Sequence, residues 1–145
     1  MTSALGKIAV QRLMTPVVKT LQRNDQLTIA DDVMREQRIR HLPVLDEDGL
    51  VCGVVSQRDL FRGALAKALG YGQTAQQKMH SMLLVKEVMS TTVVTIGPQE
   101  PLANAARLML EHKVGCLPVL DGEKLVGILT ESDFVRLALD DPTLA

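Results

Sequence analysis

Leu42-Pro43-Val44-Leu45-Asp46, a turn, and then Gly53-Val54-Val55-Ser56-Gln57-Arg58-Asp59 is a stretch that this chain states twice. The second statement is Leu117-Pro118-Val119-Leu120-Asp121, a turn one residue shorter, and Gly127-Ile128-Leu129-Thr130-Glu131-Ser132-Asp133. The residues before each copy also recur: Met14 with Met89, Leu27 with Leu102, Ala30 with Ala105, Met34 with Met109. Residues 10–46 laid on residues 85–121 give 13 identical pairs out of 37. Unmatched pairs often keep their chemistry, as in Leu21 with Ile96, Asp25 with Glu100, Arg38 with Lys113 and Ser56 with Thr130. An internal duplication of this kind sets the frame for every other reading.

Two units of roughly 60 residues would each bury too small a share of their surface to stand alone, so the repeats are expected to share an interface and fold as one compact pair. The 145 residues are 46% apolar but only 2% aromatic, so the core must be built from Val, Leu, Ile, Ala and Met. Scarce aromatics speak against base stacking on single-stranded nucleic acid. A formal net charge of −1 with no basic run speaks against nucleic acid and anionic membrane as partners. No signal-peptide core and no stretch of 18 apolar residues is present, which predicts a cytoplasmic protein. Cys52 and Cys116 are far apart, without a CxxC pair or a His at ligand spacing, and are expected to be buried, reduced thiols.

In chain order, residues 1–13 read as a short helical lead-in with Ile8, Ala9, Val10 and Leu13 on one face. Met14 to Val18 turns extended, because Pro16 pushes Thr15 out of helical geometry. Leu27 to Ile39 carries apolar residues at helical spacing, with Asp25 or Thr28 as candidate cap. Leu42–Leu45 and Leu50–Val55 flank the turn residues Asp46-Glu47-Asp48-Gly49 and predict a hairpin. A helix then opens at Ser56 and is broken by Gly70-Tyr71-Gly72. The unit is thus strand, helix, strand, strand, helix. Residues 73–84 stand outside the duplication and read as a helical connection, with Met79, Met82 and Leu83 on one side. The second unit repeats the order, with Pro101 suited to a first helical position before Leu102. Residues 140–145 are expected to fray. The division is therefore 1–72, first repeat with its lead-in; 73–84, connection; 85–145, second repeat.

Ser56 and Thr130 each follow an apolar strand and open a helix. A helix start offers unpaired N–H groups and the positive end of a dipole, which suit a phosphate. The hydroxyl can donate to a phosphate oxygen, and the carboxylate of Asp59 or Asp133 can accept from the two hydroxyls of a ribose. The same Ser/Thr-x-x-Asp spacing is also close to a capping box, in which hydroxyl and carboxylate satisfy backbone amides for ~1 kcal/mol per cap. The two uses of the hydroxyl can coexist. No nucleophile with a base at recognisable spacing, no metal cluster and no GxxxxGK loop is evident, so catalysis is not expected.

The doubled pattern resembles a pair of cystathionine β-synthase (CBS) domains, a Bateman module, over about residues 10–61 and 85–137. The resemblance implies an α/β (α+β) fold of two strand-helix-strand-strand-helix units about a pseudo-two-fold axis. It implies an adenosine nucleotide (AMP, ADP or ATP, ahead of S-adenosylmethionine) bound in clefts between the units, with catalysis left to another domain. Carried onto this chain, the ligand residues are Ser56, Arg58 and Asp59 in the first motif and Thr130 and Asp133 in the second. Arg40 and His41 stand where the family places basic residues reaching the phosphates, although a cation at a helix end is also ordinary surface charge. Val17 and Val18, or Thr92 and Val93, stand where an adenine ring would lie, and core strand is their plain alternative. The counterparts of Arg40-His41 are Gly115-Cys116, and that of Arg58 is Ser132, so one good anion site and one weak or empty one are expected. The family further implies a homodimer, through helices around Leu60 to Leu69 and Phe134 to Leu139, and a regulated protein partner. A scaffold whose pockets have decayed is the competing reading.

Overall fold

In the computed structural model, residues 4–16, 19–69 and 83–140 are described. The chain forms two compact units that do not follow the repeat boundaries: one combines Met1–Val18 with Val94–Ala145, the other is Lys19–Val93. Each sheet therefore recruits a segment that the sequence places in front of the other repeat.

The elements in chain order are a short 3-10 turn (Ala4–Gly6), α1 (Val10–Leu13), β1 (Thr15–Pro16), β2 (Leu21–Gln22), α2 (Leu27–Gln37), β3 (His41–Leu45), β4 (Val51–Ser56) and α3 (Gln57–Ala68). They continue with α4 (Val85–Val88), α5 (Leu102–His112), β5 (Cys116–Asp121), β6 (Lys124–Thr130) and α6 (Glu131–Asp140). One sheet runs β2-β3-β4, with β2 parallel to β3 and β3 antiparallel to β4. The other runs β1-β6-β5, antiparallel throughout, with Ile96 added beside Val119 as an isolated parallel bridge. The strand expected over Thr92–Ile96 thus pairs at one residue only. Ile96 N–H donates to Pro118 O at 3.1 Å and Leu120 N–H donates to Ile96 O at 2.9 Å. The second bridge that the first repeat makes, Gln22 with Leu45, would here need an N–H at residue 98, and proline has none.

Both hairpins form as expected, each closed by a glycine in the left-handed region: Gly49 at φ +79° and Gly122 at φ +64°. Each also shifts register at the same place, between Val44 and Leu45 and between Val119 and Leu120. Helix starts differ from expectation. The N-cap of α2 is Gln26, which makes no side-chain cap bond, while Asp25 accepts instead from Gln22 N–H at 2.8 Å. Pro101 occupies the N-cap of α5, one position before the helix proper. Both helices end alike, with Arg38 and Lys113 left-handed and their N–H groups returned to Met34 and Met109 carbonyls. The proposed 73–84 helix and the last five residues lie outside the described residues, apart from Leu83 and Leu84; Leu84 bridges to Gln26.

Each unit has an aliphatic core. Val10, Ile96, Leu102, Ala105, Met109, Leu117, Val119 and Leu129 form one; Leu21, Ala30, Met34, Leu42, Val44, Val55, Leu60 and Val85 form the other. Burying a Leu or Val side chain of this kind contributes about 1.5–3 kcal/mol. Val10 and Val85, equivalent residues in the two repeats, are fully buried, and each sits in the unit built round the other repeat's hairpin. The recruited segments are fastened by backbone bonds. Val10 N–H donates to Glu100 O and Gln11 N–H to Pro98 O, both at 2.8 Å; Val85 N–H donates to Asp25 O at 2.8 Å and Lys86 N–H to Arg23 O at 2.9 Å.

A methionine follows each of these segments and lies over a hairpin glycine. A Cβ built on Gly127 would collide with Met14 Sδ and come within 2.9 Å of its Cγ and 3.1 Å of Thr15 O. One on Gly53 would lie 2.5 Å from Met89 Sδ and 3.0 Å from Ser90 O. Gly127→Ala is therefore expected to lower stability by ~1–3 kcal/mol, the usual cost of overpacking. Met14→Ala in the same chain should recover part of that loss, because the two changes share one contact. Urea unfolding of the two single variants and the double variant measures the coupling, and strictly additive losses would contradict it.

Candidate functional site

In the unit Lys19–Val93, β3 and β4 bring the sequence-expected residues together. His41 is the register partner of Ser56, and Gln57 N–H, the first residue of α3, donates to Arg40 O at 2.8 Å. The start of α3 therefore lies beside Arg40 and His41, which the sequence separates from it by a whole hairpin. Arg40 and Arg58 are exposed, while His41, Ser56 and Asp59 are half-buried. The other unit is built the same way: Cys116 faces Thr130, and Glu131 N–H donates to Gly115 O at 3.1 Å. Val17 and Val18 lie outside the described residues. Val93 is half-buried, three residues beyond the bridge that joins Ser90 to Val54.

Both Ser/Thr-x-x-Asp motifs carry the cap that the spacing allows. Ser56 N–H donates to Asp59 Oδ2 at 2.8 Å, and Asp59 N–H returns a bond to Ser56 Oγ at 3.1 Å. Thr130 N–H donates to Asp133 Oδ2 at 2.9 Å, and Thr130 Oγ1 lies 3.3 Å from the same oxygen. Each carboxylate gives one oxygen to its own backbone, because an uncapped helix start leaves amides unsatisfied.

The two motifs then diverge. Asp133 is only 3% exposed, and its Oδ1 lies 3.6 Å from Arg136 Nη1, one turn along α6. Thr130 Oγ1 is shared with Ser132 Oγ at 2.9 Å. Asp59 is more open and is not in an ion pair among the described residues. Arg136 was not singled out from sequence, although the three-residue spacing of Asp133 and Arg136 is the usual signal for such a pair on a helix. Beside the Thr130 motif stand Gly115 and the buried Cys116, which bring no charge.

Cys116 is buried, and desolvation pushes its thiol up to about 12. Cys52 is half-exposed rather than buried; burial raises its pKa too, helped by the nearby Asp46 carboxylate. Both thiols are free. Since the thiolate is the reactive form, a disulfide reagent at pH 8 should modify Cys52 slowly in the folded protein and Cys116 only after denaturation. A Cys52→Ser variant that still titrates one fast thiol when folded would contradict this burial. Among the described residues, three or more His, Cys, Asp or Glu side chains do not cluster to hold a metal, and no helix is long and apolar enough to cross a membrane.

The CBS domain family model matches residues 10–66 and 85–140. A CBS domain-containing protein of Dictyostelium discoideum is 31% identical over 92% of this chain and 92% of its own. The chain spans only 25% of another relative, a homoserine O-acetyltransferase of Methanococcoides burtonii, at 30% identity over 92% of this chain, and 32% of an uncharacterized protein of Methanocaldococcus jannaschii, at 31% identity over 90%. Among solved structures, a putative acetoin utilization protein of Vibrio cholerae is 38% identical with a TM-score of 0.72, covering 92% of this chain and 91% of its own. CBSX2, solved in complex with AMP, is 32% identical with a TM-score of 0.71, covering 91% and 96%. The CBS domain pair of protein MJ0100, solved with 5'-methylthioadenosine and S-adenosyl-L-methionine, is 26% identical with a TM-score of 0.74, covering 92% and 97%. With its matched segments, its mixed α+β units and its doubled hairpin-and-helix motif, this chain belongs to the CBS domain family and carries two tandem copies of the domain.

Proposed function

We propose that the chain is a regulatory module that binds an adenosine nucleotide, AMP, ADP or ATP, at the start of α3 and performs no reaction of its own. The observation that carries this reading is the bond from Gln57 N–H to Arg40 O, which sets Arg40 beside a capped helix start that itself carries Arg58. A phosphate there meets the positive end of the helix dipole, Ser56 Oγ, and the charges of Arg40 and Arg58. Asp59 accepts a ribose hydroxyl on Oδ1 while Oδ2 keeps its bond to Ser56 N–H, so ligation does not require the cap to open. Two solved relatives bound to adenosyl compounds support the ligand class. S-adenosylmethionine ranks behind the nucleotides here, because Arg40 and Arg58 favour an anion over its sulfonium cation.

The Thr130 motif is read as the weaker site. Asp133 is buried against Arg136, and Gly115 and Cys116 supply nothing to balance a phosphate. Binding regulates only insofar as the ligand prefers one arrangement of the protein over another. That arrangement is proposed to involve a homodimer and a regulated partner protein. Phe61, Leu65 and Leu69 form an exposed apolar stripe along α3 and past its end, and Val135 and Leu139 form another on α6. The capped state of both aspartates also favours a second reading, a scaffold whose pockets no longer bind.

Titration calorimetry with AMP, ATP and S-adenosylmethionine separates the two. AMP or ATP is expected to bind with one site per chain, to weaken about tenfold or more in Asp59→Ala and Arg40→Ala, and to be little changed in Asp133→Asn. Absence of heat and of thermal shift with all three ligands leaves the scaffold.

A further inference from the structure

A groove of about 390 Å³ lies in the unit that contains Val94–Ala145, between the Ile96 segment and α5. It is remote from the Thr130 motif: Ile96 pairs with Val119, three residues along β5 from Cys116, about 10 Å at the rise of a strand. Thr95, Gly97, Glu100, Asn104, Arg107 and Leu108 line it, with Ile96 at its base.

Ile96 spends both its N–H and its C=O on β5. Backbone groups alternate in direction along a strand, so Thr95 and Gly97 present theirs to the opposite side, along the groove. Gly97 O accepts from Glu100 N–H at 3.3 Å, and among the described residues nothing accepts from the N–H of Thr95 or Gly97. Among the described residues this is an open sheet edge, a feature proteins ordinarily block.

The other repeat shows how such an edge is blocked on the same framework. There Gln22 replaces Gly97, and Asp25 accepts from Gln22 N–H at 2.8 Å. Glu100, the counterpart of Asp25, is drawn away instead: Asn104 Nδ2 donates to Glu100 Oε2 at 2.9 Å, and Arg107 Nη1 donates to Asn104 Oδ1 at 3.1 Å. Asn104 and Arg107 are themselves Ile29 and Asp32 in the first repeat. The fold does not demand glycine at 97. Its φ is not left-handed, and an added Cβ would meet nothing nearer than Glu100 Cγ at 3.7 Å. What leaves the residue 97 N–H bare is the diversion of Glu100 to Asn104.

We propose that this edge is a docking site for an extended segment of a partner protein, which adds as one more strand beside Thr95–Gly97 and sets an acidic side chain against Arg107. Main-chain bonding supplies the affinity in strand addition, and the side-chain contact supplies the choice of partner. Arg107 is exposed and commits one N–H to Asn104, leaving most of its five donors for a carboxylate. Glu100 does not compete for it, because its carboxylate is held by the Asn104 amide.

The test is amide NMR of the full chain titrated with a capped hexapeptide alternating valine and threonine around one glutamate. Thr95 and Gly97 amides should shift, saturate, and gain protection from hydrogen exchange. Glu100→Asp with Asn104→Ile, which restores the residues by which the first repeat caps this N–H, should weaken binding about tenfold or more while the protein melts as before. Arg107→Asp should transfer the preference to the same peptide with lysine in place of glutamate. Three results would each overturn the proposal: unmoved Thr95 and Gly97 amides, equal binding of the glutamate and lysine peptides by the unaltered protein, or the same shifts produced by succinate alone.

Discussion

The fold depends on a close approach of backbone to backbone at two glycines. Gly53 and Gly127 lie in the outgoing strands of the hairpins, where a side chain would otherwise stand over the sheet. In its place lies the thioether of Met89 or Met14, with the carbonyl of the next residue about 3 Å from where a Cβ would sit. That approach lets a recruited segment lie down on the hairpin and drop Val85 or Val10 into a core otherwise built mainly from the other repeat. A larger residue at either glycine would press on the methionine and on that carbonyl, the contacts by which the segment lies on the hairpin. Methionine suits the position because an unbranched, polarizable chain can follow an irregular surface.

The same constraint explains what the sequence could and could not convey. Repeated glycines and methionines were visible as identities at fixed spacing, and the hairpins followed from apolar runs around turn residues. Which hairpin each methionine would meet was not visible, because periodicity describes an element and carries no information about its partner. The reading that Met14 and Val10 belong with the strands after them is natural in one dimension, whereas the contacts assign them to the hairpin more than a hundred residues on. Pro98 was likewise visible in sequence, at the place that Arg23 holds in the first repeat. Its effect, a strand reduced to a single rung at Ile96, appears only once the strand it would pair with is known.

For the candidate site, residue type and spacing located the two helix starts and the charge difference between them. They did not decide between ligation and capping, since Ser/Thr-x-x-Asp serves both. The structure shows capping at both motifs, and then separates them by burial. Asp133 is closed off by its own helix and by Arg136, while Asp59 keeps an oxygen that is not committed to the cap. Adding Arg136, one turn beyond Asp133, to the sequence reading would have pointed to that difference.

A duplicated fold supplies its own control, and this one divides cleanly. Where the two repeats agree, as in the buried valines, the Met-on-Gly contacts, the Leu-Pro-Val-Leu-Asp strands and the aspartate caps, the residues act inside the unit and changing them would cost stability. Core differences such as Leu21 against Ile96 and Val55 against Leu129 keep an apolar side chain, whereas four changes of charge or polarity lie outside the core: Arg40 against Gly115, Arg58 against Ser132, Gln22 against Gly97, Asp32 against Arg107. These differences do not alter the common framework, since both hairpins keep the same register shift and both helices keep the same left-handed end. Packing therefore does not explain them. The first repeat concentrates positive charge at a helix start and seals its sheet edge with Asp25; the second strips charge from the equivalent helix start and opens the equivalent edge. One framework has thus been given two chemistries, at opposite ends of its sheet.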